Sequence, residues 1–438
     1  MFATKTFERV VAAWIVVMLV AVAAIVLSGA VNLPFWDEWE WADYVIAAHH
    51  NAVTLSQLWA QHNEHRMFFP RLVVIVLDKL HGWDTIDETL LNVTMLAGIV
   101  WIAATMIRRT IPRARQLVAL AAIATLLCTL RQEENLVWGF QIAWFMVALG
   151  LYAVAALVGR PVRGPRRIAA AIAIGVVVSY SMSSGLLVWP LGIIAILLAG
   201  GIRDPDALFD AGAFAAAGAA VSALYFRGYQ TPGGHPPLTF GLTHPTAFVE
   251  YVAAYVGSVF GGRPFTVAET AVIGAVGIAA FAVLAVRRWR DPLAAPWIAL
   301  GCVSLLGAVI TAAGRVGFGT DQALSSRYVT LSVGVWVGLA ALLAQARYAP
   351  FPLRRIVLAG AAVAAAVLFV HANLIGFDDQ RTFKERLAGA YFSLVDVAEP
   401  SDGPIGIVFP DPGFVSARLP LLRAVRDGPF LGRSAPAP

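Results

Sequence analysis

Asp37 and Glu38 are the residues whose placement most invites chemistry. They lie in Pro34-Phe-Trp-Asp-Glu-Trp-Glu-Trp41, directly after an apolar run at residues 10–31. That run is long enough to cross a bilayer, for which ~20 residues suffice. Tryptophan favours the headgroup zone because its ring is apolar and its N–H is polar. Carboxylates at that depth are costly unless they are paired, hydrogen-bonded or used. One reading is a solvated pair capping a helix that begins near Trp39, since acids suit helix N-termini. The other is a general base acting on something itself anchored in the membrane. Successive residues on a helix are rotated by about 100°, so only one of the two carboxylates can face a substrate.

A second cluster, His62-Asn-Glu-His-Arg66, follows in the same loop. His62 and His65 share one face if the segment is helical. With Glu64 they could bind a divalent metal, although the HExxH pattern of zinc proteases is missing. Arg66 with protonated histidine suits phosphate oxygens equally well, and a plain polar loop is the third reading. Farther on, Arg131-Gln-Glu-Glu-Asn135, Gly314-Arg315 and Ser325-Ser-Arg327-Tyr328 set polar groups at the ends of apolar segments. Arg315 and Arg327 either snorkel to water or hold a ligand. Ser181-Met-Ser-Ser-Gly185 interrupts an apolar hairpin and reads as a tight turn.

The elements that must position these groups are helices in lipid. Hydrophobic residues make up 59% of the chain and charged ones 13%, against the ~25% charge usual for a soluble domain. The net charge of +5 gives no case for nucleic acid, because it follows the membrane. Lys5, Arg9, Arg108/109/113/115, Arg160/163/166/167, Arg203, Arg287/288/290 and Arg347/354/355 make 17 basic residues; the same stretches hold five acids. Short positive loops stay cytoplasmic, which sets the N-terminus inside and the Asp37 loop outside. The spans fall near 10–31, 89–107, 116–130, 136–158, 168–181, 186–200, 207–226, 267–286, 293–313, 327–345 and 355–375. Residues 246–260, short and carrying Glu250, read as an interfacial or re-entrant helix. The first segment reads as a retained span, its apolar core of roughly 18 residues exceeding the ~7–15 of a signal peptide. Cys128 and Cys302 both lie in apolar segments and read as free thiols.

The expected fold is thus an all-α polytopic membrane protein with about eleven transmembrane helices and a long first external loop. That loop, residues 32–88, holds nine acids, three basic residues and five histidines. Trp39–His49 reads as a short amphipathic helix, Thr54-Leu-Ser-Gln57 as a capping box opening another, and Phe68–Leu80 as a helix on the membrane surface with Pro70 in its first turn. Residues 227–245 read as a flexible loop. The composition shifts after residue 375, so 1–375 reads as the transmembrane module and 376–438 as a small external segment with a disordered tail at 433–438.

With these features together, the chain resembles the C-type (GT-C) polyprenyl-phosphate-dependent glycosyltransferases of bacteria, in a poorly characterised branch. The resemblance rests on one span followed by Asp37-Glu38, on the long first loop with surface helices, and on the later polar groups Arg131, Arg315 and Arg327-Tyr328. The strings His62-Asn-Glu-His-Arg66 and Ser326-Arg-Tyr328 are also similar. Many members carry Asp-x-Asp or Glu-x-Asp where this chain has adjacent acids, which leaves open which of the two is the base. The resemblance implies inverting transfer of a sugar from a polyprenyl-phosphate donor to a glycan, lipid or protein acceptor at the outer face of the cytoplasmic membrane. It implies Asp37 or Glu38 as catalytic base. His62, Glu64, His65, Arg66, Arg131, Arg315, Arg327 and Tyr328 would bind substrate. A divalent ion, Mg or Mn, would be held by Asp37, Glu64 and His65 in members that use one. A lipid-linked glycan ligase or polymerase, or a membrane transporter, are the alternatives; a transporter would place its ionisable groups nearer the bilayer midplane.

Overall fold

The computed structural model describes residues 2–161, 164–346, 352–397 and 401–432. Arg163, Arg347 and the tail at 433–438 lie outside them. The protein is an all-α polytopic membrane protein. Helix α1 (Phe2–Leu27) leads to α2 (Trp41–His49) and α3 (Leu55–Trp59), then to the two-residue strands β1 (Gln61–His62) and β2 (His65–Arg66). Next come α4 (Phe68–His81), α5 (Thr85–Thr110), α6 (Gln116–Leu127), α7 (Glu133–Val137), α8 (Ile142–Val158), α9 (Pro165–Ser179), α10 (Val188–Gly200) and α11 (Pro205–Phe226). The chain closes with α12 (Phe240–Thr243), α13 (Pro245–Gly257), α14 (Val267–Arg288), α15 (Ala295–Arg315), α16 (Val329–Gln345), α17 (Pro352–Val395), α18 (Asp402–Val408) and α19 (Pro412–Val425).

Ten helices among the described residues are long and apolar enough to cross a membrane. Helix α9, expected as a further span, has fifteen residues, ~22 Å of helix, and is not among these ten. Connections sort to two ends. At the basic end, Arg115 donates to the Ala344 carbonyl, and the Gln345 amide to the carbonyls of Thr110 and Leu293. At the opposite, loop end, the first long loop meets the later connections at Trp138–Gly139, Ser183, Arg227–Gln230 and Arg315. The sorting follows from the sequence: long apolar stretches leave polar backbone only at helix ends, where connections must gather.

Short helices fill the loop end. Thr54 and Gln57 form the expected capping box at α3, and α4 begins two residues before Pro70. Helix α13 has 13 residues, ~20 Å of helix, too little for a ~30 Å hydrocarbon core. It packs on α14 through glycine. A Cβ on Gly274 would stand 1.8 Å from the Ala253 carbonyl oxygen, and one on Gly257 would stand 2.0 Å from that of Thr270. Small residues let two backbones meet, and the contact fixes the buried Tyr251 and Tyr255 at the loop end.

The shift in composition at residue 376 marks no break in the backbone. Helix α17 runs through it for 44 residues, ~66 Å at 1.5 Å per residue, so its second half projects beyond the bundle. There Lys384 donates to the carbonyls of Ile25 and Ser28 at the end of α1. A cation on unsatisfied C-terminal carbonyls is a helix cap. Helices α18 and α19 bend by 93° and fold onto the first loop, where Arg418 pairs with Asp43 at 2.6 Å.

The Gly274 contact yields an expectation. Gly274→Val forces α13 away from α14, a clash of the kind that costs ~1–3 kcal/mol or more. Thermal unfolding of the purified protein should show a clearly lowered midpoint, whereas Gly212→Val, at a glycine with open space around it, should not.

Candidate active site

The Asp37-Glu38 pair divides as helical rotation requires. Residues Trp36–Glu40 form a 3-10 turn running into α2, and Glu38 points inward with 1% exposure. Its Oε2 accepts the Phe35 N–H at 3.0 Å, and its Oε1 accepts no hydrogen bond. Glu88, at the start of α5, meets Glu38 side chain to side chain and accepts the Trp83 indole N–H at 2.7 Å. Burial first, and the Glu88 carboxyl second, raise the Glu38 pKa well above the carboxylate range. Two acids buried together share a proton rather than both ionise. Gly139 makes the space: a Cβ there would lie 2.4 Å from Glu38 Oε1 and 2.5 Å from Glu88 Oε2. Glu38 is therefore an anchor, and Asp37 is the member of the pair that faces outward.

The tryptophans divide as well. Trp39 and Trp41 are core residues at 0% and 2% exposure, and only Trp36 is open at 46%. The expectation that the flanking Trp36 and Trp39 both sit among headgroups thus holds for Trp36 alone. The 3-10 turn rotates Trp39 inward, and Trp41 lies against Phe140 at 5.0 Å.

His62-Asn-Glu-His-Arg66 is a hairpin, not a helix. His62 opposes His65 across the β1–β2 register, their rings 6.5 Å apart, and Asn63 takes the positive φ of 46° that asparagine tolerates in turns. The hairpin delivers His62 to the outward acids. Its Nδ1 lies 2.8 Å from Glu40 Oε2 and its Nε2 3.5 Å from Asp37 Oδ2. Burial alone would lower its pKa, but the hydrogen bonds to Asp37 and Glu40 raise it to about 9. His62 is an imidazolium bridge between two carboxylates. His65 is its opposite: burial lowers its pKa to about 4, and its Nδ1 accepts the Ser183 N–H at 3.3 Å. An Nδ1 that accepts carries no proton. The Ser181–Gly185 turn is tight, with Gly185 against the Val178 carbonyl, and it also orients His65.

The arginines separate into pegs on backbone carbonyls and cations that answer to a single carboxylate. Arg66 is buried, with its Nε on the Tyr225 carbonyl (3.0 Å), Nη1 on Trp59 (2.9 Å) and Nη2 on Arg227 (2.8 Å). Arg131 is likewise buried on the Gly261 and Leu324 carbonyls and beside Glu133. Every nitrogen of these two guanidinium groups serves the backbone or Glu133, so the structure does not bring Arg66 or Arg131 to a ligand. Arg315 forms an ion pair with Glu64, which lies 3.9 Å from His65. Arg327 donates to Ser325 Oγ at 3.1 Å and stands 3.8 Å from Glu134, its side chain 40% exposed. It also feels the Asp37 carboxylate. The Ser326-Arg-Tyr328 turn is held by Asn135, which donates to the Arg327 carbonyl at 2.8 Å. Tyr328 stacks on Tyr255 at 5.2 Å and steadies that turn without facing outward.

The group that converges is thus Asp37, Glu40, His62, His65, Glu64, Arg315 and Arg327, drawn from the first loop and the connection between α15 and α16. Sequence reasoning passed over Glu40, Glu134 and Tyr255, though Glu40 stands in the Trp36–Trp41 string. The expected metal set of Asp37, Glu64 and His65 is not the one assembled, because Glu64 is taken by Arg315. Asp37, Glu40 and His62 offer one ligand atom each within 4.8 Å of one another. A divalent ion there would have to replace the proton of His62, since only neutral imidazole ligates.

No family model matches the chain, and no curated protein matches it in sequence. Among solved structures, the crystal structure of ArnT from Cupriavidus metallidurans bound to undecaprenyl phosphate is similar. It shows 15% sequence identity and a TM-score of 0.46, over 96% of this chain and 76% of that one.

The two upward shifts act in the same direction on stability. His62 in the folded protein keeps its proton to about pH 9, while an unfolded histidine loses it near 6.5. Its contribution is full below about pH 6.5 and is lost as the pH rises toward about 9. Glu38, raised above its unfolded value, likewise stabilises the fold while protonated and ceases to as the pH rises. The thermal midpoint should fall across the His62 window, where His62→Gln should flatten the fall, and Glu38→Gln should flatten the fall that begins above pH 4.5. Unchanged slopes in both variants would assign the loss to other groups.

Proposed function

We propose that the chain is an inverting C-type glycosyltransferase moving a sugar from a polyprenyl-phosphate donor to an acceptor, with Asp37 as general base. One observation carries the reading. The outward carboxylate of Asp37 stands ten residues past the end of α1, next to protonated His62 and within the field of the exposed Arg327. A base, a positioning imidazolium and a partly exposed cation at the end of a membrane bundle are the parts this transfer needs. The arginine bias sets that end on the outer face of the cytoplasmic membrane, so the isoprenoid of the donor can stay in lipid while its head reaches the loops.

In the proposed step the acceptor hydroxyl loses its proton to Asp37 as its oxygen attacks the anomeric carbon. The bond from that carbon to the lipid phosphate breaks, and the phosphate leaves with the electron pair. Arg327 is placed to balance the departing charge, and a preset cation of this kind is worth more in a site shielded from water. Arg315 can join it by exchanging Glu64 for the phosphate. His62 and Glu40 are positioning residues: they hold Asp37 through one imidazole. Glu38 fixes the turn from below. Asp37, Glu40 and His62 are the residues that would hold a divalent ion, which would add a further positive charge beside the phosphate.

Asp37→Asn preserves shape and removes basicity. With a purified lipid-linked sugar donor, turnover should fall by ~10²–10⁴, while the unfolding midpoint and donor binding persist. Arg327→Gln should lower turnover with little loss of stability, and Arg66→Gln should do the reverse, lowering the unfolding midpoint because three carbonyls lose their donors. Near-normal turnover in Asp37→Asn overturns the assignment of the base.

A further inference from the structure

A second group of metal-ligating side chains lies where the C-terminal segment meets the first loop, away from Asp37. His49 ends α2, Asp78 lies in the last turn of α4, and Asp427 follows α19. One ligand atom from each falls within 4.8 Å of the others. His49 Nε2 stands 2.6 Å from Asp427 Oδ2 and 3.4 Å from Asp78 Oδ1. Asp427 is held firmly, its Oδ1 accepting the N–H groups of Trp83 at 2.6 Å and Gly428 at 2.9 Å.

Asp78 is the informative member. Its side chain is 1% exposed, it points toward His49, and neither of its oxygens accepts a hydrogen bond. The neighbouring Lys79 turns its ammonium to the Ala48 carbonyl at 2.6 Å. The imidazole N–H is aimed at Asp427, so Asp78, which also faces the Asp427 carboxyl, receives no nitrogen donor. Buried carboxylates left short of positive charge are costly, and a dication bound by all three side chains removes the deficit.

We propose that His49, Asp78 and Asp427 bind a divalent transition-metal ion, zinc by the chemistry of the set, which fastens the C-terminal segment to the loop carrying Asp37. One imidazole nitrogen with two carboxylates suits zinc, whereas calcium prefers oxygen alone. Ligands ~2.0–2.2 Å from tetrahedral zinc stand roughly 3.3–3.6 Å apart, so the His49–Asp78 spacing already fits and the close His49–Asp427 pair has to part, releasing its proton to solvent. The half-exposed edge of His49 leaves the remaining position open to water. The N–H groups of Trp83 and Gly428 fix the Asp427 ligand from behind, as outer partners do at metal sites. The fastening reaches the exit of α1, because Asn32 donates to the Gly428 carbonyl at 2.8 Å. It also reaches the Glu38–Glu88 pair through the Trp83 indole.

The test uses the full chain in detergent, stripped with chelator, loaded with zinc and separated from free ion before elemental analysis. Wild type is expected to retain zinc and to show a higher unfolding midpoint with it. Asp78→Asn should hold one equivalent less and lose the zinc-dependent rise. That variant suits the purpose because the carboxyl it replaces accepts no hydrogen bond, and its unfolding transition without zinc serves as the folding control. Cobalt in place of zinc should give visible d–d absorption in wild type that Asp78→Asn and His49→Gln lack. Three outcomes overturn the proposal. Wild type takes up no zinc; or Asp78→Asn retains as much as wild type; or zinc is lost with His62→Gln but not with Asp78→Asn, which assigns the ion to the Asp37 cluster.

Discussion

The loop end is organised around one buried carboxyl. Glu38 sits out of water, its Oε2 accepting the Phe35 N–H and its carboxyl set against that of Glu88, which raises its pKa. An acid in that position is expensive to ionise and expensive to leave unbonded, so the turn that carries it has one low-energy setting. With Glu38 fixed inward, residue 37 must face outward and Trp39 must enter the core. The same carboxyls bind the start of α5 and the Trp138–Phe140 turn to the exit of α1. A site borne on a connection between helices acquires in this way the rigidity of the helices.

Around that anchor, polar groups divide by whether they are already satisfied. Arg66 and Arg131 are strongly basic residues in loop-end connections, yet each is consumed by carbonyls that would otherwise be buried without a donor. They shape the loops. Arg315 and Arg327 answer to single carboxylates and keep surface open to a ligand. The two histidines of the hairpin show the same logic in charge. His62 lies between acids and is protonated, while His65 is shut in, accepts a backbone N–H and is neutral. Three residues apart in sequence, they differ because their neighbours come from different connections.

Most of the fold was legible in the sequence. Span lengths, the arginine bias, the capping box at Thr54 and the refusal of residues 246–260 to cross all follow from local pattern and the thickness of lipid. Helix α9 was equally legible, since its flanks supply the turn. The site was legible only in part. Asp37 could be picked by position after α1, and the convergence of Arg315 and Arg327 with the first loop by their places at span ends. The partners could not: Glu88 for Glu38, Glu40 for His62 and Tyr225 for Arg66 lie on other elements, and hydrogen bonds over such separations leave no local trace. Helical spacing also misled at His62 and His65, where a two-residue turn at Asn63 and Glu64 produces the same proximity by pairing strands. The run of charge after residue 376 suggested a boundary, but charge on a projecting helix serves as well, and Lys384 uses it to cap α1.

The most direct measurement is a structure of the Asp37→Asn protein in a lipid environment with a polyprenyl-phosphate-linked sugar bound. The expected result has the phosphate in hydrogen-bond contact with Arg327, the isoprenoid leaving between helices into lipid, and the anomeric carbon facing the side chain at position 37. A phosphate bound at the basic end of the bundle, or a sugar held out of reach of position 37, would contradict the account.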